Sequence, residues 1–269
     1  MSNSIPVTIC GALGRMGQKL ILAAHHHPRL RLAGALISPQ SEYISQDIGN
    51  LTGLGLIGVE TLGDFQKAAA ESSVYIDFTN PEAVISHIEK AEKLGLAAVI
   101  GVTGLKDSQI ERLKVASLKI PVLWSPNMSL GVNLMYKIAS MMAKSLGPDF
   151  DIEIVETHHR LKKDAPSGTA LKLYESLCQA RGLDPKTSLR SGRQGLVGPR
   201  TEEEIGVLAV RGGDIVGDHS VFFAGLGERL ELIHRSHSRD NFAAGAIRAA
   251  VWIYGQKPGY YSLSDALGL

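Results

Sequence analysis

Short apolar runs alternate with longer amphipathic segments through the first half of the chain. The runs at residues 7–10, 32–37, 74–78, 97–102 and 122–124 predict strands, and the segments 16–26, 81–94 and 107–117 between them predict helices. This alternation is typical of a parallel sheet with helical connections. Small or polar residues follow each run, and in a doubly wound sheet such strand ends form the ligand-binding crevice. These residues are Gly11, Ser38, Thr79, Thr103 and Ser125.

The pattern changes after Asn127. Helices are predicted at 131–146 and 169–180, alternating apolar positions occur at 152–156, and three further strands are predicted at 205–211, 215–224 and 229–234. The glycine-containing links at 212–214 and 225–228 predict hairpins between those three strands. A last helix, 241–254, is expected to pack back on the first domain. The sequence therefore predicts an α/β protein: a Rossmann-like dinucleotide-binding domain (1–128, completed by 240–269) and an α+β domain with a mixed sheet (129–239).

Charge and composition narrow the possible partners. The 269 residues include 28 Lys and Arg against 27 Asp and Glu, a net charge of +1, so no bulk field attracts nucleic acid or an anionic membrane. The start of the chain lacks the basic and apolar regions of a signal peptide, and no apolar stretch approaches the roughly 20 residues that a membrane span needs. The two cysteines, Cys10 and Cys178, have no metal-ligand spacing. We expect a cytoplasmic protein that binds neither nucleic acid nor a membrane.

A glycine loop joins the first predicted strand to the first predicted helix, where a dinucleotide fingerprint belongs. In GALGRMG, Gly11 suits a tight turn, Gly14 would let the backbone approach a pyrophosphate, and Gly17 would let the helix pack closely on the strand. Leu13 occupies the place of the second glycine of the GxGxxG pattern. A glycine-rich turn without a ligand is the alternative.

The sequence leaves the choice between NAD and NADP open. The acidic residue that binds the ribose hydroxyls is expected about 20 residues after the loop, but the second strand ends in Ile37 and Ser38. Nothing there repels a 2′-phosphate. Arg15, in the loop itself, is the nearest candidate cation.

A basic segment, ETHHRLKKDAPSGTA at 156–170, lies between a predicted strand and a predicted helix. His158 and His159 point to opposite faces of a strand, so a shared metal ion is disfavoured and an acid or a substrate ligand is the better interpretation. Ser167, Gly168 and Thr169 begin the helix and offer hydroxyl and N–H groups to a carboxylate or phosphate. The alternative is a solvated basic loop with Ser167 or Thr169 as a plain helix cap.

The other histidines are weaker candidates for catalysis or ligand binding. His25 to His27 lie near a helix end, where they favour the helix dipole. We interpret His87, His219, His234 and His237 as surface or packing residues. Arg239, just before the last helix, could bind a carboxylate or form a salt bridge.

These motifs resemble the 4-hydroxy-tetrahydrodipicolinate (dihydrodipicolinate) reductase family. The resemblance rests on the glycine loop, on DFTNP, GVTG and SPNMSLGVN, and above all on the basic segment, and it runs nearly the whole chain. It implies a cytoplasmic, usually tetrameric enzyme of lysine and diaminopimelate biosynthesis that reduces a cyclic dicarboxylate with NADH or NADPH. It also implies that the second domain binds substrate and forms the oligomer.

The resemblance also implies roles for individual residues. His158 would donate the proton with Lys162 as its partner, and no metal is expected. His159, Gly168 and Thr169 would contact substrate. The residues themselves add Ser167, at the helix start, and Arg239 to the expected substrate contacts. The expected cofactor contacts are Gly11, Ala12, Leu13, Gly14, Arg15, Met16, Gly101, Val102, Thr103, Ser125, Pro126, Asn127 and Met128.

Two other functions fit the same domain plan. One is a nicotinamide dehydrogenase acting on another amino-acid precursor, such as a semialdehyde or homoserine, although a well-placed catalytic cysteine is lacking. The other is a non-catalytic NAD(P) sensor, which would have no need for His158, His159 and Lys162 beside an anion-binding helix start.

Overall fold

The computed structural model describes residues 4–269, so the first three residues of the predicted nucleotide-binding domain lie outside the described residues. The chain divides into two compact units. The first unit comprises residues up to Leu130 together with Asp240–Leu269, and the second is Gly131–Arg239. Among the described residues, no helix has both the length and the apolar character needed to cross a bilayer.

The first part of the chain alternates strands and helices as predicted. Its elements are β1 (Ile5–Cys10), α1 (Arg15–His26), β2 (Leu30–Leu36), α2 (Ile48–Thr52), β3 (Thr61–Leu62), α3 (Phe65–Ala68), β4 (Val74–Asp77), α4 (Pro81–Leu94), β5 (Ala97–Ile100), α5 (Asp107–Ser117) and β6 (Pro121–Trp124). Asn80 caps α4 through the Ala83 N–H, with Pro81 at the first position, and Gly95 ends the helix in a left-handed conformation. The short elements α2, β3 and α3 were not predicted. Asp47 and Asp64 cap the two short helices.

The middle of the chain supplies the second unit. Its elements are α6 (Leu130–Leu146), a 3₁₀ turn (Gly147–Asp149), β7 (Asp151–His158), α7 (Gly168–Arg181), β8 (Leu189–Arg190), β9 (Ile205–Arg211), β10 (Gly217–Ala224) and β11 (Arg229–Ser236). The chain ends with α8 (Asp240–Ile253), β12 (Gly259–Tyr261) and α9 (Leu263–Leu267) in the first unit. The last predicted helix packs on the first unit, as expected; the short β8, β12 and α9 were not predicted.

The first unit contains a parallel seven-stranded sheet in the order β12-β6-β5-β4-β1-β2-β3. Apolar clusters fill the space between this sheet and its helices, and the central strand β4 is fully buried. Strands buried on both faces become continuous apolar runs, which explains the pattern seen in the sequence. The carboxyl ends of β1, β4, β5 and β6 lie at one edge of the sheet.

The second unit contains a mixed five-stranded sheet in the order β11-β10-β7-β9-β8. Residues 225–228 form the expected hairpin between β10 and β11. The hairpin predicted at 212–214 is wrong, because β7 lies between β9 and β10, parallel to the first and antiparallel to the second. The link crosses the end of β7 instead, where the Gly212 N–H donates to the His158 carbonyl at 2.9 Å and the Gly213 carbonyl accepts from the Arg160 N–H at 3.1 Å.

The core of the second unit lies under one face of this sheet. The apolar side chains of β7, β9 and β10 on that face pack against α6 and α7. The alternation of buried and half-buried positions along β7 puts Ile152, Ile154, Glu156 and His158 on the same face. A carboxylate and an imidazole therefore extend the apolar stripe towards the end of the strand.

Gly17 sets how closely α1 packs on the glycine loop. A Cβ at this position would lie 2.0 Å from the Gly11 carbonyl oxygen and 2.7 Å from the Ala12 carbonyl carbon. Because backbone atoms are not free to rotate away, we expect Gly17→Ala to push α1 outward and to lower the free energy of unfolding by about 1–3 kcal/mol. Urea denaturation would measure the loss.

The matched control is Gly212→Ala, where an added Cβ meets no atom within 4 Å. Its free energy of unfolding should stay close to that of the wild type. Equal stability of the Gly17→Ala variant and the wild type would contradict the close packing of α1.

Candidate active site

The glycine loop, residues 11–14, connects β1 directly to α1. Gly11 has a φ of +73°, which favours glycine, and its N–H donates to the Leu36 carbonyl at 2.9 Å. Gly14 is the N-cap of α1 and makes no side-chain capping bond. An added Cβ at Gly14 would meet only the Gly11 carbonyl oxygen, at 3.1 Å. The loop therefore offers N–H groups at a helix start without a side chain in the way, which fits a pyrophosphate.

The other predicted cofactor residues near the glycine loop differ in their exposure to solvent. Ala12 is buried, Leu13 and Met16 are half-buried, and Arg15 is exposed. The exposed guanidinium of Arg15 is thus available to a ligand at the helix start.

The loops after β5 and β6 lie at the same edge of the sheet as the glycine loop. At Gly101 an added Cβ would lie 2.2 Å from the ring of Phe78, so only glycine fits there. The Val102 carbonyl accepts from Trp124 Nε1 at 3.1 Å. Thr103 is exposed at the end of this loop.

The loop after β6 holds its shape through its own side chains. The hydroxyl of Ser125 donates to the Asn127 carbonyl at 2.7 Å, and Asn127 Oδ1 accepts from the Ser129 N–H at 2.8 Å. Pro126 is exposed and Met128 is buried. The structure thus places the predicted cofactor residues at the carboxyl ends of β1, β5 and β6.

A buried carboxylate orders the loop after β4. Asp77 Oδ1 accepts from the Thr79 N–H at 2.9 Å and from the Thr79 hydroxyl at 2.5 Å, and its Oδ2 lies 2.7 Å from His87 Nδ1. The Phe65 ring stacks on His87 with centroids 5.0 Å apart. His87 was interpreted as a surface or packing residue; it is buried and also hydrogen-bonded to Asp77.

In the second unit, His158 ends β7 with its ring held by Glu156. The His158 Nδ1 and Glu156 Oε2 atoms are 2.6 Å apart, and both residues are buried. Within residues 4–269, no hydrogen bond reaches His158 Nε2. Gly217 lies beside this atom, and a Cβ there would come within 2.9 Å of it. The ring is therefore fixed at one nitrogen and unengaged at the other.

Arg211 and Ser167 complete the surroundings of Glu156. The two terminal nitrogens of Arg211 donate to the two carboxylate oxygens at 2.7 and 2.8 Å, and the Ser167 N–H donates to Oε1 at 2.9 Å. Ser167 is also the N-cap of α7, because its hydroxyl accepts from the Ala170 N–H. For Ser167 the structure therefore shows the capping role that the sequence left as the alternative to a substrate contact.

His219 is a site neighbour that the sequence analysis missed. Its Nε2 lies 3.1 Å from the Ser167 hydroxyl, and its ring meets the His158 ring edge-on at 5.3 Å. The signal that could have identified it is register, since His219 pairs with Glu156 across the sheet and Arg211 pairs with His158. Both pairings depend on β7 being central, which the predicted hairpin obscured.

Of the other predicted substrate residues, Lys162, Gly168 and Thr169 follow β7 in the turn and at the start of α7, whereas Arg239 follows β11. Lys162 is half-buried, and its ammonium lies 2.8 Å from the Asp164 carboxylate. The backbone N–H of Lys162 donates to the His159 carbonyl and forms a turn. Gly168 is exposed. Thr169 is half-buried and hydrogen-bonds with Tyr136. Arg239 is exposed at the last residue of the second unit.

Burial and charge shift the pKa values in this cluster. Burial lowers the pKa of His158 and outweighs the opposing effect of Glu156, while the positive charges of Lys162 and Arg211 lower it further. Burial alone would raise the pKa of Glu156, but the hydrogen bonds from Arg211 and His158 bring it below its ordinary value. Burial and the neighbouring His158 lower the pKa of His219 to about 3, so His219 is neutral at pH 7.

Comparison with known proteins identifies the family. The dihydrodipicolinate reductase N-terminus matches residues 5–128, and the dihydrodipicolinate reductase C-terminus matches residues 131–267. A 4-hydroxy-tetrahydrodipicolinate reductase of Citrifermentans bemidjiense is 44% identical over 265 residues, covering 98% of this chain and 99% of the relative. That of Geotalea daltonii is 45% identical over 267 residues, with the same coverage of both chains.

The fold agrees with this relationship. A solved structure described as dipicolinate-bound dihydrodipicolinate reductase from Paenisporosarcina sp. TG-14 superposes with a TM-score of 0.76, covering 96% of this chain and 97% of that one, at 24% identity. The expected fold class, a Rossmann-like unit followed by a mixed-sheet unit, is confirmed. From the matches over nearly its whole length, the chain belongs to the dihydrodipicolinate reductase family of oxidoreductases, as its motifs predicted.

Proposed function

We propose that this protein is a nicotinamide-dependent reductase that converts 4-hydroxy-tetrahydrodipicolinate, through dihydrodipicolinate, to tetrahydrodipicolinate in lysine and diaminopimelate biosynthesis. The observation that carries the proposal is the buried His158, held at Nδ1 and unengaged at Nε2, next to a basic turn and the start of α7. Family membership and two relatives at 44% and 45% identity support it.

His158 is the proton donor in this proposal. Glu156 engages Nδ1, so the proton must leave from Nε2. The lowered pKa makes the imidazolium a stronger acid than an exposed histidine. Lys162 adds positive charge close by, which stabilises the negative charge that develops on the ring nitrogen of the substrate.

The dinucleotide would be held by the glycine loop and the loops after β5 and β6. The N–H groups of Arg15 and Met16 at the start of α1 would bind the pyrophosphate, and Gly11 and Gly14 leave the loop backbone uncovered by side chains. Gly101, Thr103 and the 125–128 loop line the same sheet edge. When bound, NADH or NADPH supplies the hydride. Neither residue 37 nor residue 38 carries a charge, so we propose that either cofactor serves.

The substrate carboxylates would be held by the helix start and the basic turn. Gly168 and Thr169 begin α7, and the amino-terminal end of a helix carries about half a positive charge. Lys162, His159 and Arg239 are the cationic candidates for the second carboxylate. Ser167 contributes by capping α7, since its N–H and hydroxyl are engaged inside the protein.

We further propose that residues 1–128 with 240–269 bind the dinucleotide, and that residues 129–239 bind substrate and join four copies into a homotetramer in the cytoplasm. The face of the second sheet that points away from α6 and α7 supports the oligomer. Its apolar side chains include Val155, Leu208, Val210, Phe222 and Ile233. Val210 and Ile233 are each more than 40% exposed.

Loss of the proton donor should separate chemistry from cofactor binding. We expect His158→Gln to lower kcat by roughly two to four orders of magnitude, the usual contribution of general acid catalysis, and to leave the Kd for NADH unchanged. Steady-state kinetics with the freshly generated ring substrate and fluorescence titration of NADH provide the two measurements. Near-normal turnover in this variant would refute the assignment of His158.

Binding of an unreactive planar dicarboxylate should report on the anion site. We expect Thr169→Val to weaken the binding of pyridine-2,6-dicarboxylate by about 1–3 kcal/mol and Lys162→Met by at least as much, because each removes a hydrogen-bond donor to a charged group. Calorimetry in the presence of nucleotide measures both.

Tyr136→Phe is the matched control for Thr169→Val. It removes the hydrogen bond between Tyr136 and Thr169 but leaves the Thr169 hydroxyl in place. Its affinity for the dicarboxylate should stay near that of the wild type. Unchanged binding in both the Thr169 and Lys162 variants would place the dicarboxylate elsewhere.

Cofactor choice follows from the uncharged end of β2. We expect the kcat/KM values for NADH and NADPH to lie within about two decades, or roughly 2.7 kcal/mol, of each other. Steady-state kinetics with both cofactors tests this, and a ratio far outside the range means that another residue recognises the ribose.

A further inference from the structure

Glu156 is the centre of the cluster in the second unit. Its side chain is fully buried, and its two oxygens take part in four short contacts. Oε2 is 2.6 Å from His158 Nδ1 and 2.7 Å from an Arg211 nitrogen, while Oε1 accepts from the other Arg211 nitrogen at 2.8 Å and from the Ser167 N–H at 2.9 Å. A carboxylate has about four acceptor positions, so none is left for substrate.

We propose that Glu156 is a positioning residue for the reaction: it fixes the ring and the tautomer of His158 so that Nε2 carries the transferred proton, and Arg211 holds the carboxylate in place. The inference rests on the proposed function of His158. Glu156 acts through His158, since its oxygens are all engaged inside the protein.

The tautomer follows from the donor and acceptor roles. An ionised carboxylate only accepts hydrogen bonds, so His158 must donate its Nδ1–H to Glu156. After Nε2 gives up its proton, the neutral ring therefore keeps its hydrogen on Nδ1. The lone pair is then on Nε2, which is the atom that has to be reprotonated for the next turnover.

Arg211 makes this arrangement possible inside the domain. A buried carboxylate tends to take up a proton, and a protonated Glu156 would no longer fix the tautomer. The guanidinium of Arg211 forms a bidentate ion pair with both oxygens of Glu156, which keeps the carboxylate ionised. Arg211 also donates to the Asp164 carbonyl at 2.7 Å, which ties the turn that carries Lys162 to the same carboxylate.

The groups that face His158 come from four segments. They are Glu156 on β7, Lys162 on the following turn, Arg211 on β9 and His219 on β10. Glu156 is the single negative group among these four. Its removal should therefore lower the affinity of His158 for a proton.

The wild-type protein provides the first test, without any substrate. ¹⁵N NMR of histidine-labelled protein, with His158→Gln to assign the signal, should show neutral His158 as the Nδ1–H tautomer with a deshielded Nδ1 proton. Finding the Nε2–H tautomer would overturn the proposal, whatever reaction the protein catalyses.

Glu156→Gln provides the second test. We expect kcat to fall by roughly 10²- to 10⁴-fold, with the Kd for NADH unchanged, because the ring loses its charged anchor. The pKa of His158, measured by NMR, should fall by about one unit or more, and the alkaline limb of kcat/KM should move to lower pH by the same amount. Glu156→Asp, which keeps the charge, should restore most of that shift.

Glu92→Gln is the control. Glu92 lies on α4 in the first unit, where its carboxylate pairs with Arg112 at 2.7 Å and with Lys119 at 2.6 Å. This substitution also removes the negative charge from an ion pair, yet the pKa of His158 and the pH profile of kcat/KM should stay as in the wild type. A His158 pKa that is the same in Glu156→Gln and in the wild type would contradict the proposed role of Glu156.

The tests separate this inference from the proposed function. If Glu156→Gln does not fold, the role of Glu156 is still tested by the His158 tautomer in the wild type. The role of Arg211 is tested by the pKa of His158 in Arg211→Lys. An unchanged pKa in that variant would count against Arg211 as the anchor of Glu156. If His158 shows the expected tautomer but the ring substrate is not reduced, the positioning role stands and the proposed reaction fails.

Discussion

The buried charge of Glu156 constrains the second unit, because a carboxylate inside a domain must be met by groups that the fold brings to it. Arg211 meets it from β9, which pairs with β7 on one side, while β10 pairs with β7 on the other side. The same order brings His219 beside His158. The mixed sheet and the cluster around His158 are therefore two aspects of one topology. A hairpin between β9 and β10 would leave β7 in contact with at most one of these strands, so Arg211 and His219 could not both flank Glu156.

The first unit uses a similar device with a different result. Asp77, at the end of β4, is also buried and also holds a histidine, but its other oxygen binds the Thr79 backbone and hydroxyl. Thr79 in turn contacts the glycine loop, since a Cβ on Gly11 would lie 3.1 Å from its methyl group. In both units a carboxylate near the end of a central strand orders the segment that follows. In the first unit that segment borders the glycine loop, and in the second it contains His158, the proposed proton donor.

Local sequence patterns predicted the elements whose ends have their own chemistry. The helix α4 was predicted to the residue, because Asn80, Pro81 and Gly95 mark both ends. The hairpin prediction at 212–214 was wrong because two glycines and an aspartate indicate a turn but do not indicate which strands pair across it. For the site, the basic segment identified His158, Lys162 and the start of α7. Arg211 and His219 lie 55 and 63 residues after Glu156, so only the sheet register connects them to it.

The electrostatics of the cluster determine when His158, the proposed donor, carries its proton. In the free protein, burial, Lys162 and Arg211 all favour neutral His158, and Glu156 alone opposes them. The proposed substrate brings two carboxylates to the positive turn and the helix start, and negative charge near an imidazole favours its protonated form. The bound dicarboxylate would thus help to charge the group that protonates it. A neutral analogue of the same ring would lack this effect, so the two carboxylates would contribute to the chemical step as well as to binding.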